Sequence, residues 1–427
     1  MRSCPNHIIV ISVDAMTGPD LERARSLPAF SKLMQDCALV DCVQSAYPSL
    51  TYPCHVSMAT GCWPDETGII NNEHFLPLSA KRPWYFYTDE IKRPTIFHFA
   101  RQAGVSSGCV MWPCMGRGPI DWLVPEIWGE TPDSGFFEPF CRAGTERFIR
   151  EIWEAVGGIP HGFKQPEFDR FSFACGMEVL RRKAPKLLYL HLCQVDNAKH
   201  YFGLGSAQVD EALRRTDQLL GELLRYLDHA GIGEKTAVVL CSDHGQVPVH
   251  TASYPNVFLQ KQGLLDCEGG AVTGWKAQSH SACCSAQIYA ATLQAAEEVS
   301  RLFRSKDVQE LLGIERVYTR EEAGGSLHLD GPFTLILEGK DGVLFRDECQ
   351  APACTMPLSQ AGISYRANHG HRPDRSEAPF FLISGPGVRP GARLAQAALV
   401  DEPATVAQLC GFSMEGIQGR PLTELLL

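Results

Sequence analysis

Asp196 and His200 stand four residues apart in the run QVDNAKH, Asp243 and His244 are neighbours in SDHG, and Asp14 closes the apolar run IIVISV. An i, i+4 pair on a helical turn turns both side chains to one face, close enough to hold a single metal ion. His369, in NHGHRPD, adds a further imidazole. Three carboxylates gathered at one place repel and raise one another's pKa unless cations sit among them. Two divalent ions carry four positive charges, which three carboxylates and one alkoxide would balance. Oxygen and imidazole donors without thiolate suit zinc best, with manganese or another first-row ion next. A hydroxyl close to such ions becomes a usable nucleophile. The stretch AYPSLTYPCHVSMATG offers four of them, Ser49, Thr51, Ser57 and Thr60, and residue type alone does not choose.

Something must carry these groups to one place. Continuous apolar runs at 8–13, 187–195, 237–242 and 380–384 have the character of strands in a parallel sheet covered on both faces. Three of them lead directly into Asp14, Asp196 and Asp243–His244, and open α/β sheets build their sites just past strand C-termini. Between two of these runs, Val209, Leu213, Leu220, Leu223, Leu224 and Leu227 recur at helical spacing and Gly231 closes the helix. The expected fold is α/β, with a doubly wound, mostly parallel central sheet and helices on both faces. Residues 1–250 and 366–427 form that core. Residues 251–365 read as a smaller inserted α+β subdomain near the site, with an amphipathic helix around AAEEVSRLF and a hairpin-like FTLILEGKDGVLF.

The formal charge of −10 gives no electrostatic footprint for nucleic acid. No apolar run approaches the roughly 20 residues of a membrane span, and MRSCPNHIIVISVD reads as a first strand, not an export signal. Seventeen scattered cysteines, with no C-x-x-C pair, point to reduced and mostly buried thiols in a cytoplasmic protein. Two short matches mislead. GVSSG (104–108) follows a helical segment and precedes a strand, the reverse of a serine-hydrolase elbow. GPGVRPG (385–391) has two prolines where a dinucleotide loop needs amides.

Taken in order, ISVDA, PSLTYPCH, TGCWPDETGIINN, DNAKH, SDHG and NHG resemble the alkaline phosphatase superfamily, and within it the nucleotide pyrophosphatase/phosphodiesterase branch. The resemblance covers nearly the whole chain. It implies an alkaline-phosphatase-like fold and a two-metal hydrolase of phosphodiester or pyrophosphate bonds in nucleotide-like small molecules. By family position Thr51 is the nucleophile, passing through a covalent phosphothreonine-type intermediate. One ion is then held by Asp14, Asp243, His244 and Thr51, and the other by Asp196, His200 and His369. Asn72 matches the asparagine that hydrogen-bonds a phosphoryl oxygen. Tyr52 takes the family's aromatic position after the nucleophile, which can stack on a base.

The chain also departs from the pattern. Cys54 replaces an asparagine, Lys199 stands before His200 where glycine is usual, and GHRPD follows His369. Cys54 is expected to alter packing around the nucleophile turn. Lys199 either faces solvent or reaches a charged substrate group, and Lys276 and His280 are candidates for the substrate wall. Those three basic residues are also what a phosphonoacetate-type C–P hydrolase on the same core would use. A phosphomonoesterase or phosphoryl mutase of the superfamily is a further alternative, the mutase needing a more basic pocket than this chain shows.

Overall fold

The computed structural model describes residues 4–79, 82–127, 137–157 and 164–427, so residues 1–3 of the N-terminal run lie outside it. Six strands come first in chain order: β1 (His7–Val13), β2 (Ala38–Gln44), β3 (Ser107–Val110), β4 (Trp122–Val124), β5 (Leu187–Leu192) and β6 (Thr236–Cys241). With Phe381–Ser384 and Arg393–Ala398 they form one eight-stranded sheet. Its order is Arg393–Ala398, β2, Phe381–Ser384, β6, β1, β5, β3, β4.

β1 lies at the centre, parallel to both β5 and β6. Its residues alternate between two cores. Ile9, Ile11 and Val13 join one apolar layer, and Ile8 and Val10 join the other. Both faces of β1 are therefore covered, which is why its sequence is an unbroken apolar run. The sheet is mostly parallel, as expected, but Phe381–Ser384 pairs antiparallel with both β2 and β6. A buried strand carries the same apolar run in either direction, so that reversal leaves no mark in the sequence. The Val209–Leu227 periodicity forms the helix Ala207–His229, with Gly231 beyond it at φ +68°.

After β6 the chain leaves the large sheet and re-enters it at Phe381. In between, β7 (Val247–Ser253) is flanked by Gly342–Phe345 on one side and by Thr355–Pro357 and Ala367–Asn368 on the other. A separate four-stranded antiparallel sheet contains Ala277–Ala282, Ser285–Ala290, Leu335–Gly339 and Ile314–Thr319. FTLILEGKDGVLF is thus not a hairpin. Its first run, Leu335–Gly339, joins that sheet, and its second, Gly342–Phe345, pairs in parallel with β7. The Lys340–Asp341 link carries the chain from one sheet to another. The amphipathic segment is helical over Leu293–Arg304.

Cys267 and Cys349 form a disulfide, which corrects the expectation that all thiols are reduced; the other fifteen cysteines are free, and eleven of those are buried. Among the described residues no helix is long and apolar enough to cross a membrane.

Candidate metal centre

Strand ends of the large sheet supply the site. Asp14 follows β1, and its backbone N–H donates to Leu192 O of β5. Asp243 and His244 follow β6, and the helix Gln194–Phe202, which follows β5, carries Asp196 and His200 one turn apart. Thr51 is the first residue of the helix Thr51–Thr60, whose N-terminus faces the same place. His369 arrives from the short Ala367–Asn368 strand beside β7.

These residues form two groups. In the first, Asp196, His200 and His369 bring ligand atoms within 4.8 Å of one another. His200 Nε2 lies 3.2 Å from Asp196 Oδ2, and His369 Nε2 lies 3.9 Å from Asp196 Oδ1. Each histidine donates its Nδ1–H to a backbone carbonyl, His200 to Ala367 and His369 to Ser49. That fixes the tautomer and turns both Nε2 lone pairs inward, the arrangement metal-ligating histidines use. Burial raises the Asp196 pKa, but His200, with His369 and His244, outweighs it and holds the carboxyl well below its usual range.

In the second group Asp14, Asp243 and His244 meet, all buried. His244 Nε2 is 3.1 Å from Asp243 Oδ2, 3.6 Å from Asp14 Oδ1 and 3.3 Å from Thr51 Oγ1. Burial, then the neighbouring Asp243 and Asp196, push the Asp14 carboxyl well above its usual range. The two groups abut, with the His244 and His369 rings stacked at 4.0 Å.

Asp14 Oδ1 is buried and has no hydrogen-bond partner, and Asp243 Oδ2, also buried, faces only the His55 and His244 imidazoles at 3.3 and 3.1 Å. Buried carboxylate oxygens without partners are costly unless a cation faces them. Both donor sets consist of carboxylate oxygen and imidazole nitrogen, so they fit a divalent first-row ion.

Asn72 lies at the mouth of this centre, in a cleft of about 300 Å³ that Leu50, Trp84, Cys283, Arg346 and Tyr365 also line. Its Oδ1 accepts the Tyr52 backbone N–H, which leaves its NH₂ as a donor. Other expected groups are placed elsewhere. Tyr52 is fully buried and donates its hydroxyl to Glu126, so it does not reach the cleft; Trp84, in edge-to-face contact with the Tyr52 ring, and Tyr365 are aromatics that border it.

Lys199 neither faces solvent nor reaches the cleft. It is buried, and its Nζ donates to Ala15 O at 2.6 Å and to Asp20 Oδ2 at 2.5 Å. Lys276 donates to Gly263 O within the inserted segment. His280 is buried against Arg82 and Glu73 O, and burial and Arg82 hold its pKa down to about 4. Cys54 is buried beside Ser45 Oγ at 3.2 Å, consistent with a packing role at the nucleophile turn.

Sequence reasoning missed several residues. His55 bridges Thr51 O and Ser12 Oγ, Gln246 donates to Asp196, and His191 and Glu126 lie behind Asp14. Only His191 carried a signal, as an imidazole inside the otherwise apolar strand LLYLHL.

The fold is shared with solved proteins. Murine ectonucleotide pyrophosphatase / phosphodiesterase 5 superposes with a TM-score of 0.68 at 19% identity, over 99% of this chain and 100% of that one. The murine protein has also been solved as an inactive threonine-to-alanine form in complex with AMP. In sequence, ectonucleotide pyrophosphatase/phosphodiesterase family member 1 of Rattus norvegicus is 27% identical over 240 residues, 55% of this chain and 23% of that protein. An uncharacterized pyrophosphatase/phosphodiesterase of Schizosaccharomyces pombe is 25% identical over 248 residues, 56% of this chain and 45% of that protein. The chain therefore spans less than half the length of these curated relatives. The sequence profile of the type I phosphodiesterase / nucleotide pyrophosphatase family matches residues 8–359, and on that match the chain belongs to this family.

Proposed function

We propose that this chain hydrolyses phosphodiester or pyrophosphate bonds in nucleotide-like substrates with Thr51 as nucleophile. The observation that carries the reading is the Thr51 hydroxyl at a helix N-terminus, 3.3 Å from His244 and beside two abutting carboxylate–imidazole groups. Asp14, Asp243 and His244, with Thr51, would hold one cation, and Asp196, His200 and His369 a second; zinc suits both sets. Bound ions would lower the pKa of the hydroxyl and neutralise the phosphoryl oxygens in flight.

This chain's residues do the rest. Thr51 Oγ1 gives up its proton and attacks phosphorus in line, the bond to the leaving oxygen breaks and that oxygen takes up a proton, and a phosphothreonine-type diester that keeps the retained ester group forms. Water then hydrolyses that ester and frees Thr51. Asn72 donates from its NH₂ to a phosphoryl oxygen as charge builds there. Residues 251–365 act as a substrate wall through Cys283, Arg346 and Tyr365. The AMP complex of the murine relative makes a nucleoside monophosphate the first group to try in the cleft.

The test loads the protein with zinc and compares kcat/KM on a nitrophenyl ester of a nucleoside monophosphate with that on nitrophenyl phosphate, beside Thr51→Ala. A diester preference that Thr51→Ala abolishes is expected. A monoester preference overturns the diesterase assignment. Inactivity on both esters in a metal-loaded protein sends the search to phosphonates. As to compartment, fifteen free cysteines favour a reducing one, the cytoplasm. A count of reactive thiols in unfolded, unreduced protein tests this, with fifteen or seventeen expected according to whether the Cys267–Cys349 bridge persists.

A further inference from the structure

We propose that His191 is a positioning residue that reserves one oxygen of Asp14 for the metal centre, and that Glu126 holds His191 in place to do so. The proposal rests on the two-cation reading above. The register of β5 against β1 sets His191 beside Ser12, on the same side of the strand as Asp14 two residues on.

The His191 ring is 1% exposed and has a defined neighbour at each nitrogen. Nδ1 lies 3.1 Å from Met111 O and 3.3 Å from Glu126 Oε2. Both neighbours are acceptors, so Nδ1 bears a hydrogen. Nε2 lies 3.1 Å from Asp14 Oδ2 and donates to it. The two oxygens of Asp14 are thereby given different tasks. Oδ2 is taken by His191, while Oδ1 has no hydrogen-bond partner and faces His244 Nε2. A carboxylate so constrained offers one oxygen in one direction.

Glu126 is itself fixed, because the Tyr52 hydroxyl donates to its Oε1 at 3.0 Å. Tyr52 adjoins Thr51. A buried line of hydrogen bonds, Tyr52 to Glu126 to His191 to Asp14, therefore joins the nucleophile's neighbour to a ligand of the centre. Outer partners that orient ligating side chains typically contribute about 10–100-fold to metal affinity or activity.

Cys193 provides the rival. Its sulfur is 3.7 Å from each nitrogen of His191, and Asp14, His191 and Cys193 together could hold an ion of their own. The experiment separates the two. Wild type, His191→Gln, His191→Asn and Glu126→Gln are loaded with zinc, zinc per chain is counted, and retention is followed against a chromophoric chelator. The melting temperature of each metal-free protein is recorded alongside.

A Gln amide can place its N–H near the former Nε2, whereas an Asn amide reaches only the Nδ1 position. The expected result is two zinc ions in wild type. In His191→Asn, retention of one falls roughly 10–100-fold while the other is unchanged. His191→Gln stays within about 3-fold of wild type and Glu126→Gln falls between them. The metal-free melting temperatures of the Gln and Asn variants agree. Equal retention in all four proteins overturns the proposal, as does an equal loss in His191→Gln and His191→Asn. Three ions in wild type, with one lost in both variants, makes His191 a ligand and overturns it too. A wild type that holds no zinc removes the two-cation reading itself, a result distinct from each of these.

Discussion

The two halves of the centre contain similar residues and solve opposite electrostatic problems. Around Asp196 the charges are already paired. His200 stands against one carboxylate oxygen, His369 approaches the other, and Gln246 donates to the group as well. Around Asp14 and Asp243 two carboxylates share a buried space; against burial, the His244 and His55 imidazoles hold Asp243 below its usual range, whereas Asp14, with Oδ1 unpartnered, is pushed above it. The first group is close to self-neutral, whereas the second keeps one carboxylate, Asp14, that waits for a cation. A ligand set is thus defined by what it leaves unsatisfied as much as by which residues it contains.

The sharpest break between the halves is in turnover. Asp243→Asn keeps the shape but removes a charge from the group that adjoins Thr51. In zinc-loaded protein kcat/KM on the nitrophenyl diester should fall by about 10³-fold, the scale of losing a main electrostatic contributor to a phosphoryl or acyl transfer site. An effect below tenfold would remove Asp243 from the centre.

A second contrast is visible in the metal-free protein, and its sign differs between Asp14 and Asp196. The folded pKa of Asp14 lies above its ordinary value of 3.8. Its contribution is thus present below that value and lost as pH rises through the folded one. At pH 8 Asp14 destabilises the metal-free fold, so Asp14→Asn should raise its melting temperature. Asp196 is shifted down, so its contribution is present above 3.8 and lost only as pH falls through the lowered value. His200 is shifted up by Asp196 against the opposing effect of burial, so its share is present below 6.5 and lost as pH rises through its folded value. Asp196→Asn should therefore lower the metal-free melting temperature, most clearly near pH 6. Shifts of roughly 1–3 °C are expected for a chain of this size. Differential scanning calorimetry from pH 5 to 8 reads both, and shifts of the same sign would erase the distinction.

What the sequence disclosed follows from which interactions are local. Asp196 and His200 are a helical turn apart, Asp243 and His244 adjoin, and Asp14 terminates an apolar run, so their convergence could be read from spacing and strand ends. The central sheet was legible for the same reason, because burial on both faces leaves continuous runs. Direction and pairing were not legible. Phe381–Ser384 runs antiparallel, and the two halves of FTLILEGKDGVLF enter different sheets, because pairing partners lie far away in sequence. Side-chain direction was lost most completely. Tyr52 and Lys199 looked like candidates for the substrate because one follows Thr51 and the other precedes His200. Their partners, Glu126 and Asp20, lie 74 and 179 residues away.

Lys199 also connects the two halves, and the mildest functional prediction belongs to it. It sits on the helix of the Asp196 group, yet its ammonium bonds Ala15 O, just after Asp14, and Asp20, in the helix Gly18–Ala24. Asp20 in turn accepts from the backbone N–H and the hydroxyl of Thr17. Lys199→Met would leave buried Asp20 with only the longer Arg23 contact, 3.4 Å from its Oδ1, and breaking a buried pair costs up to about 3–5 kcal/mol. Stability should drop clearly, while KM for the nitrophenyl diester, measured well below the melting temperature, should stay within about 2-fold, since no contact with the cleft is lost. Urea unfolding and steady-state kinetics on the same preparation test both halves of the claim. A rise in KM with unchanged stability would return Lys199 to the substrate. Lost stability at constant KM would show that the cation beside the ligand ties the self-neutral half of the centre to the half that waits for metal.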